Sequence, residues 1–309
     1  MEEENQTHIY QFILMGLSTK PEVQLFLAAL FILTYISIIA GNLLILLVIR
    51  MNPHLHTPMY FFLGNLSFLD VCSSSVTVPK MLAGLLVKEK TISVHGCFTQ
   101  LFFFISFTCA EIFLLSAMSY DRYVAICKPL HYTVIMNMRF CTQLAVSSWS
   151  GGSAYSLLHT LLASRLSFCR SNIIDHFFCD LPPLYKISCT DIFINILVVF
   201  TTGGLLGLVS LLVAFVSYSH IISAVLRIAS TEGKHRAFST CFAHLTVVII
   251  FYGSLSFMYL RNTSSYQLVT DRGVSIVYTV ITPLLNPLIY SLRNRDIKEA
   301  ISKAFGKKA

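Results

Sequence analysis

The chain has 309 residues, of which 55% are hydrophobic and only 12% charged, and its formal net charge is +7. Soluble domains carry about 25% charged residues, so this chain has roughly half the polar surface a soluble globule needs. That excludes a soluble enzyme, a disordered chain and a secreted disulfide scaffold. It leaves a polytopic membrane protein, in which each helical crossing takes about 20 apolar residues.

The first apolar run, 25–49, contains no Asp, Glu, Lys or Arg and lies between Glu22 and Arg50. At ~1.5 Å per residue it reaches about 37 Å, enough to cross a bilayer with tilt. It is too long for a signal peptide, and Glu2, Glu3 and Glu4 have the wrong charge for one. The same reading predicts further spans at 57–79, 96–126, 140–163, 193–226, 236–260 and 273–292. The fifth is too long for one crossing and should leave the bilayer as a helix. At 294–305, Ile297, Ile301 and Phe305 fall at i, i+4 and i+8, opposite Lys298 and Lys303. That pattern predicts an amphipathic helix on the membrane surface. The expected fold is all-α: a single domain, 1–309, forming a seven-transmembrane helix bundle with a short amphipathic C-terminal helix.

Seven spans put the termini on opposite sides. The set of segments comprising 50–56, 122–139, 227–236 and the tail from Arg293 holds 13 of the 22 Lys and Arg residues and, with Asp121 counted in it, nets +9. The opposite set nets zero, so the basic side is cytoplasmic and the N-terminus extracellular. The basic tail suits the anionic inner leaflet of the lipid bilayer. The positive charge therefore reads as membrane topology, and no nucleic-acid partner is implied. Two further signals agree. Asn5-Gln6-Thr7 is a glycosylation sequon in the outer tail, whereas Asn65-Leu66-Ser67 falls within a span and Asn262-Thr263-Ser264 hugs the sixth. Cys97, Cys169, Cys179 and Cys189 all fall in extracellular segments, where disulfides persist. Four cysteines allow three pairings, and their spacing does not choose among them.

Several motifs mark the inner halves of the spans. Leu55-His56-Thr57-Pro58-Met59-Tyr60 opens the second. The run Met118-Ser119-Tyr120-Asp121-Arg122-Tyr123-Val124-Ala125-Ile126-Cys127 ends the third, and Ser217-Tyr218 lies near the end of the fifth. Lys234-His235-Arg236-Ala237-Phe238-Ser239-Thr240-Cys241 opens the sixth, with Phe251-Tyr252-Gly253 inside it. Pro283-Leu284-Leu285-Asn286-Pro287-Leu288-Ile289-Tyr290 ends the seventh. From about Asn5 to Phe305 this set resembles the vertebrate odorant receptors of the rhodopsin-like G-protein-coupled class. Ser119 stands where that family usually has Ala, and Lys234-His235-Arg236 varies its basic run. Trp149 is the chain's single Trp, so the sixth span has none, and neither the fifth nor the sixth has Pro.

The resemblance implies a plasma-membrane receptor that binds a small volatile odorant and raises cAMP through the olfactory stimulatory G protein. It implies a Cys97–Cys179 disulfide, which leaves Cys169 with Cys189. It also implies a coupling site made of Asp121, Arg122, Tyr123, Tyr218, Asn286, Pro287 and Tyr290. On charge alone, an Asp121–Arg122 pair should hold the resting state, and its breaking should free Arg122 for the G protein.

Asp70 and Glu111 lie near mid-depth, with no Lys or Arg at that level of any span. Two buried carboxylates without a cation do not both ionise. Either one or both are protonated, or a cation sits between them, with Asn42 and Asn286 as further oxygen donors. In the resemblance, Asp70 falls at the sodium-site aspartate. No other cofactor is implied.

The outer half should hold the ligand. Phe104, Ile105, Thr108 and Ile112 share one face of the third span, and Tyr252, Ser256 and Tyr259 one face of the sixth. Thr202 and Thr279 are expected to close the ring. Apolar and aromatic walls with a few hydroxyls suit a small, uncharged, largely apolar ligand. There is no Asp in the outer third span for an amine, and no Lys in the seventh for a retinal Schiff base. No protease, hydrolase or P-loop motif is present, so no catalytic role is expected. The alternative from another class is a channel or transporter that uses Asp70 and Glu111 as an ion path. No internal repeat of the transporter kind supports it.

Overall fold

The structure is a computed structural model and describes residues 10–18, 20–87, 90–169, 171–227, 231–259, 268–293 and 295–304. Four long helices come first: α1 Pro21–Met51, α2 Pro58–Leu86, α3 Val94–Cys127 and α4 Met138–Ser164. Helix α5, Phe193–Leu226, follows, with α6 Thr231–Tyr259, α7 at 268–293 and the short α8 Arg295–Ala304. Among the described residues, α1, α2, α3, α5 and the Asp271–Tyr290 stretch of α7 are long and apolar enough to cross a membrane. Helix α6 carries a shorter apolar stretch, His244–Met258. The remaining long helix, α4, is rich in Ser and Gly, which it uses for packing.

Local chemistry sets several helix ends. Pro21 and Pro58 open α1 and α2, where a missing N–H costs nothing. Ser93 caps α3 by accepting from the Gly96 N–H, and Asn137 caps α4 by accepting from Phe140. Helix α2 runs past the expected limit at 79 to Leu86, and Lys80 within this extension donates to the Thr91 carbonyl at 2.6 Å.

Helix α3 is the central post, buried along most of its length. Small residues let α4 lie close against it. A Cβ on Gly152 would sit 2.5 Å from the Ser106 carbonyl oxygen and 2.8 Å from the Ala110 nitrogen, so any larger residue forces the two helices apart. Ser156 donates to the Phe102 carbonyl at 2.5 Å, and Ser106 meets Ser153 at 3.1 Å. Such contacts replace the hydrophobic drive that lipid removes. Trp149 of α4 donates to Asn65 of α2 at 3.2 Å.

The all-helical expectation missed one element. Strand β1, Gln11–Leu14, lies between β2, Thr91–Ser93, and β3, Ile173–Ile174, antiparallel to the first and parallel to the second. These three segments come from far apart in the chain and are each too short to show a strand period. Phe12 of β1 is fully buried. Cys97 is bonded to Cys179 and Cys169 to Cys189, which ties the second outer loop to α3 and to itself.

Candidate ligand cavity and coupling site

A cavity of about 440 Å³ lies between α3, α5 and α6, within the usual range of about 300–1,000 Å³ for small-molecule sites. Of the residues expected from the sequence, Phe104, Ile105, Thr108 and Ile112 line it from α3, and Tyr252 and Ser256 from α6. The side chain of Tyr259 lies outside the described residues, as do Asn5 and Asn262.

Thr202 and Thr279 do not line the cavity. The Thr279 hydroxyl donates back to the Ser275 carbonyl at 2.6 Å, and that of Thr202 to the Val198 carbonyl at 2.6 Å. A hydroxyl in a helix bonds the preceding turn when nothing better is offered. In α5 the phase also shifts, because residues Val199–Gly203 form a π turn. The turn sends Thr202 toward His159 of α4, 3.2 Å away, and gives the wall to Gly203, Gly204, Leu206 and Gly207.

Sequence reasoning also missed Tyr155 of α4 and Leu181 of the second outer loop. Leu181 opens a short helix, Leu181–Ile187, capped by Asp180, which accepts from the Leu181 N–H at 2.8 Å. Gln100 of α3 sets the height of this loop, accepting from the Cys179 N–H at 3.0 Å and donating to the Val76 carbonyl at 2.9 Å. Phe178 packs edge-on against Phe104, with ring centroids 4.8 Å apart. The loop is pinned to α7 by an Asp175–Arg272 ion pair and by buried His176, whose Nε2 lies 3.1 Å from the Ser275 hydroxyl. Burial, with the Arg272 charge adding to it, pulls the His176 imidazole down to about 3, so it is neutral at physiological pH.

Below the cavity the Tyr252 hydroxyl donates to the Ile112 carbonyl at 3.1 Å and lies 3.2 Å from the Ser116 hydroxyl. Further in, Asn286 donates to both oxygens of Asp70, at 3.0 and 3.2 Å. Asn42 donates to the carbonyls of Ile38 and Pro283. One oxygen each of Asn42, Glu111 and Asn286 is buried without a hydrogen-bond partner. This oxygen-only set fits a hard monovalent cation.

At the inner end the expected Asp121–Arg122 ion pair is not formed among the described residues. Asp121 accepts instead at 2.8 Å from the hydroxyl of Tyr132, the first residue of a short loop helix, Tyr132–Ile135, that follows the third span. The Arg122 charge is felt at Tyr218, His244 and Tyr290. The Tyr218 hydroxyl contacts His244 Nδ1 at 2.6 Å, joining α5 to α6, and the Tyr290 hydroxyl is buried without a partner. The sequence carried one signal for His244: it is the only His in the apolar run that follows Cys241. Tyr123 faces His220 and lies under Lys128, while Pro287 sits inside α7.

A ligand cavity over a tyrosine link, above a buried carboxylate and an inner Arg–Tyr–His cluster, has the layout of a ligand-operated helix bundle. A profile of the family described as "Olfactory receptor" matches residues 31–308. The chain belongs to the olfactory receptor family. It is similar to olfactory receptor 1C1 of Homo sapiens, 49% identical over 98% of this chain and 96% of that one. It is equally similar to olfactory receptor 1468 of Rattus norvegicus, 49% identical over 100% and 98% of the two chains. Olfactory receptor 1J2 of Homo sapiens is 50% identical over 99% and 98%. The chain is thus a seven-helix odorant receptor of the plasma membrane that signals through a G protein, and is not an enzyme. The channel or transporter alternative finds no support in this family.

Proposed function

We propose that this receptor takes a small, largely apolar, uncharged volatile odorant into the cavity between α3, α5 and α6. It then activates the olfactory stimulatory G protein to raise cAMP. The observation that carries the reading is the position of Tyr252, which lines the cavity and hydrogen-bonds α3 from α6. A ligand that bonds differently to this hydroxyl in two states of α6 has the differential affinity that switching requires. Movement of α6 then opens the Tyr218–His244 contact and frees Arg122, with Tyr123 and Tyr290 beside it, for the G protein. Asn286 and Pro287 are the points where α7 reports to Asp70.

The spans named above cross the bilayer with the N-terminus outside, glycosylated at Asn5, and the basic tail on the cytoplasmic face. Asp70 and Glu111, with Asn42 and Asn286, would hold a sodium ion, which would supply the positive charge that two buried carboxylates need. Protonation of the acids, with Asn286 as donor to Asp70, meets the same need without an ion.

The test is a cAMP assay of volatile compounds in cells carrying the olfactory stimulatory G protein. Ile105→Trp, which fills the cavity from α3, should abolish responses while surface expression and basal cAMP persist. Unchanged potencies in that variant would place the ligand elsewhere.

A further inference from the structure

Tyr155 is the α4 side chain on the cavity wall, and its surroundings are built to hold it there. Helix α5 does not pass it as a plain α-helix, because the π turn at Val199–Gly203 faces it. Such turns recur at functional sites within helices. The turn directs Thr202 toward α4, where the Thr202 proton goes to the Val198 carbonyl. The Thr202 oxygen then accepts from His159 Nε2, 3.2 Å away, which sets the tautomer of a fully buried imidazole. The His159 ring lies 4.3 Å from the Tyr155 ring and fixes its plane. Gly203, the last residue of the turn, stands against the phenol oxygen. A Cβ there would sit 2.8 Å from it, so glycine is what leaves the hydroxyl its place.

The other hydroxyls on the wall are those of Thr108, Tyr252 and Ser256, and Tyr252 is already committed to α3. Tyr155 lies on the opposite side, from a helix that the apolar pattern leaves out of the site. The Tyr155 O–H is within hydrogen-bond reach of the Thr202 side chain, an internal contact that an oxygen acceptor on the bound molecule would replace.

We propose that Tyr155 is a specificity-determining residue that donates a hydrogen bond to a carbonyl, ester or alcohol oxygen of the odorant. Gly203 and His159 are positioning residues for that hydroxyl. The proposal rests on the cavity being the odorant site and adds the polar group that the odorant must carry.

The test uses volatile hydrocarbons of roughly six to twelve carbons, a size such a cavity accepts, each paired with its alcohol, ketone and ester counterparts. Potencies are read by cAMP, with surface expression and basal activity as controls. Wild type should answer oxygenated members. Tyr155→Phe keeps the ring against His159 and should raise their half-maximal concentrations about two- to twelvefold. Any hydrocarbon response should stay unchanged. Gly203→Ala should weaken the same compounds. Tyr155→Phe potencies that fall equally for hydrocarbons, or do not change, overturn the proposal. So does a wild type that answers only hydrocarbons or nothing in the set. Ile105→Trp separates the two readings. If it silences the receptor while Tyr155→Phe does nothing, only this inference fails. If it leaves responses intact, the cavity reading fails first.

Discussion

The hydroxyl of Tyr252 in α6 donates to the main-chain carbonyl of Ile112 in α3 at 3.1 Å, directly beneath the cavity. The carbonyl also accepts from Ser116 in its own helix at 3.0 Å, so the bond between helices is an addition that either state of the receptor can give up. Tyr252→Phe removes it while keeping the ring. A loss of about 0.5–1.5 kcal/mol should change agonist potency or basal cAMP about two- to twelvefold. If both quantities stay the same for several agonists, the α6 face is packing alone.

Arg122 lies about 27 Å below Phe104, from 18 residues of α3 at ~1.5 Å each. Arg122→Ala should therefore leave the cavity intact and abolish cAMP output. Loss of high-affinity agonist binding through uncoupling is part of the expectation, because the two sites are linked reciprocally. Normal output from a well-expressed mutant would falsify the coupling role.

The oxygen set around Asp70 makes a sodium test direct. Raising sodium should favour the resting state and lower basal signalling, and Asp70→Asn should remove that response. Its Asn286 partner donates to both carboxylate oxygens, so the mutant also loses one of the two acceptors. Equal behaviour of wild type and mutant when sodium is exchanged for a bulky organic cation assigns the site to protons instead.

His176 gives the second outer loop a pH dependence of definite sign. Its imidazole stands at about 3 in the folded receptor, mainly through burial, against about 6.5 in an unfolded chain. As pH falls through this window the unfolded state binds the proton first, so stability falls with it. From about pH 7.5 to about pH 5 the loss should come to about 2 kcal/mol. Melting temperatures of the detergent-purified receptor should show a smaller acid loss in His176→Gln than in wild type. Parallel losses in the two proteins would contradict the assignment.

The Cys169–Cys189 bond closes a loop with a sequence separation of 20. Loop entropy assigns such a bond about 3 kcal/mol. The double Cys→Ser variant at 169 and 189 should melt lower, and non-reducing peptide maps of wild type should show Cys97 linked only to Cys179. A Cys97–Cys169 peptide would contradict the pairing.

The sequence by itself determined where the chain is apolar, where its basic segments cluster, and which residues share a face of one helix. These are local properties: run length, charge and a 3.6-residue period. They suffice for Phe104, Ile105, Thr108 and Ile112 on α3, which do meet one cavity. Only the tertiary structure decided how each helix is rotated about its axis against its neighbours. A single π turn in α5 moves Thr202 off the wall and puts Gly203 on it. The close contact at Gly152 seats α4 against α3, bringing in a helix that the apolar pattern left out. Asp121 turned to Tyr132, eleven residues on, because a loop helix lies there that the charge pattern does not reveal. The small outer sheet exists because three distant segments pair backbone with backbone, and backbone hydrogen bonds between distant segments leave no periodic trace in side-chain order.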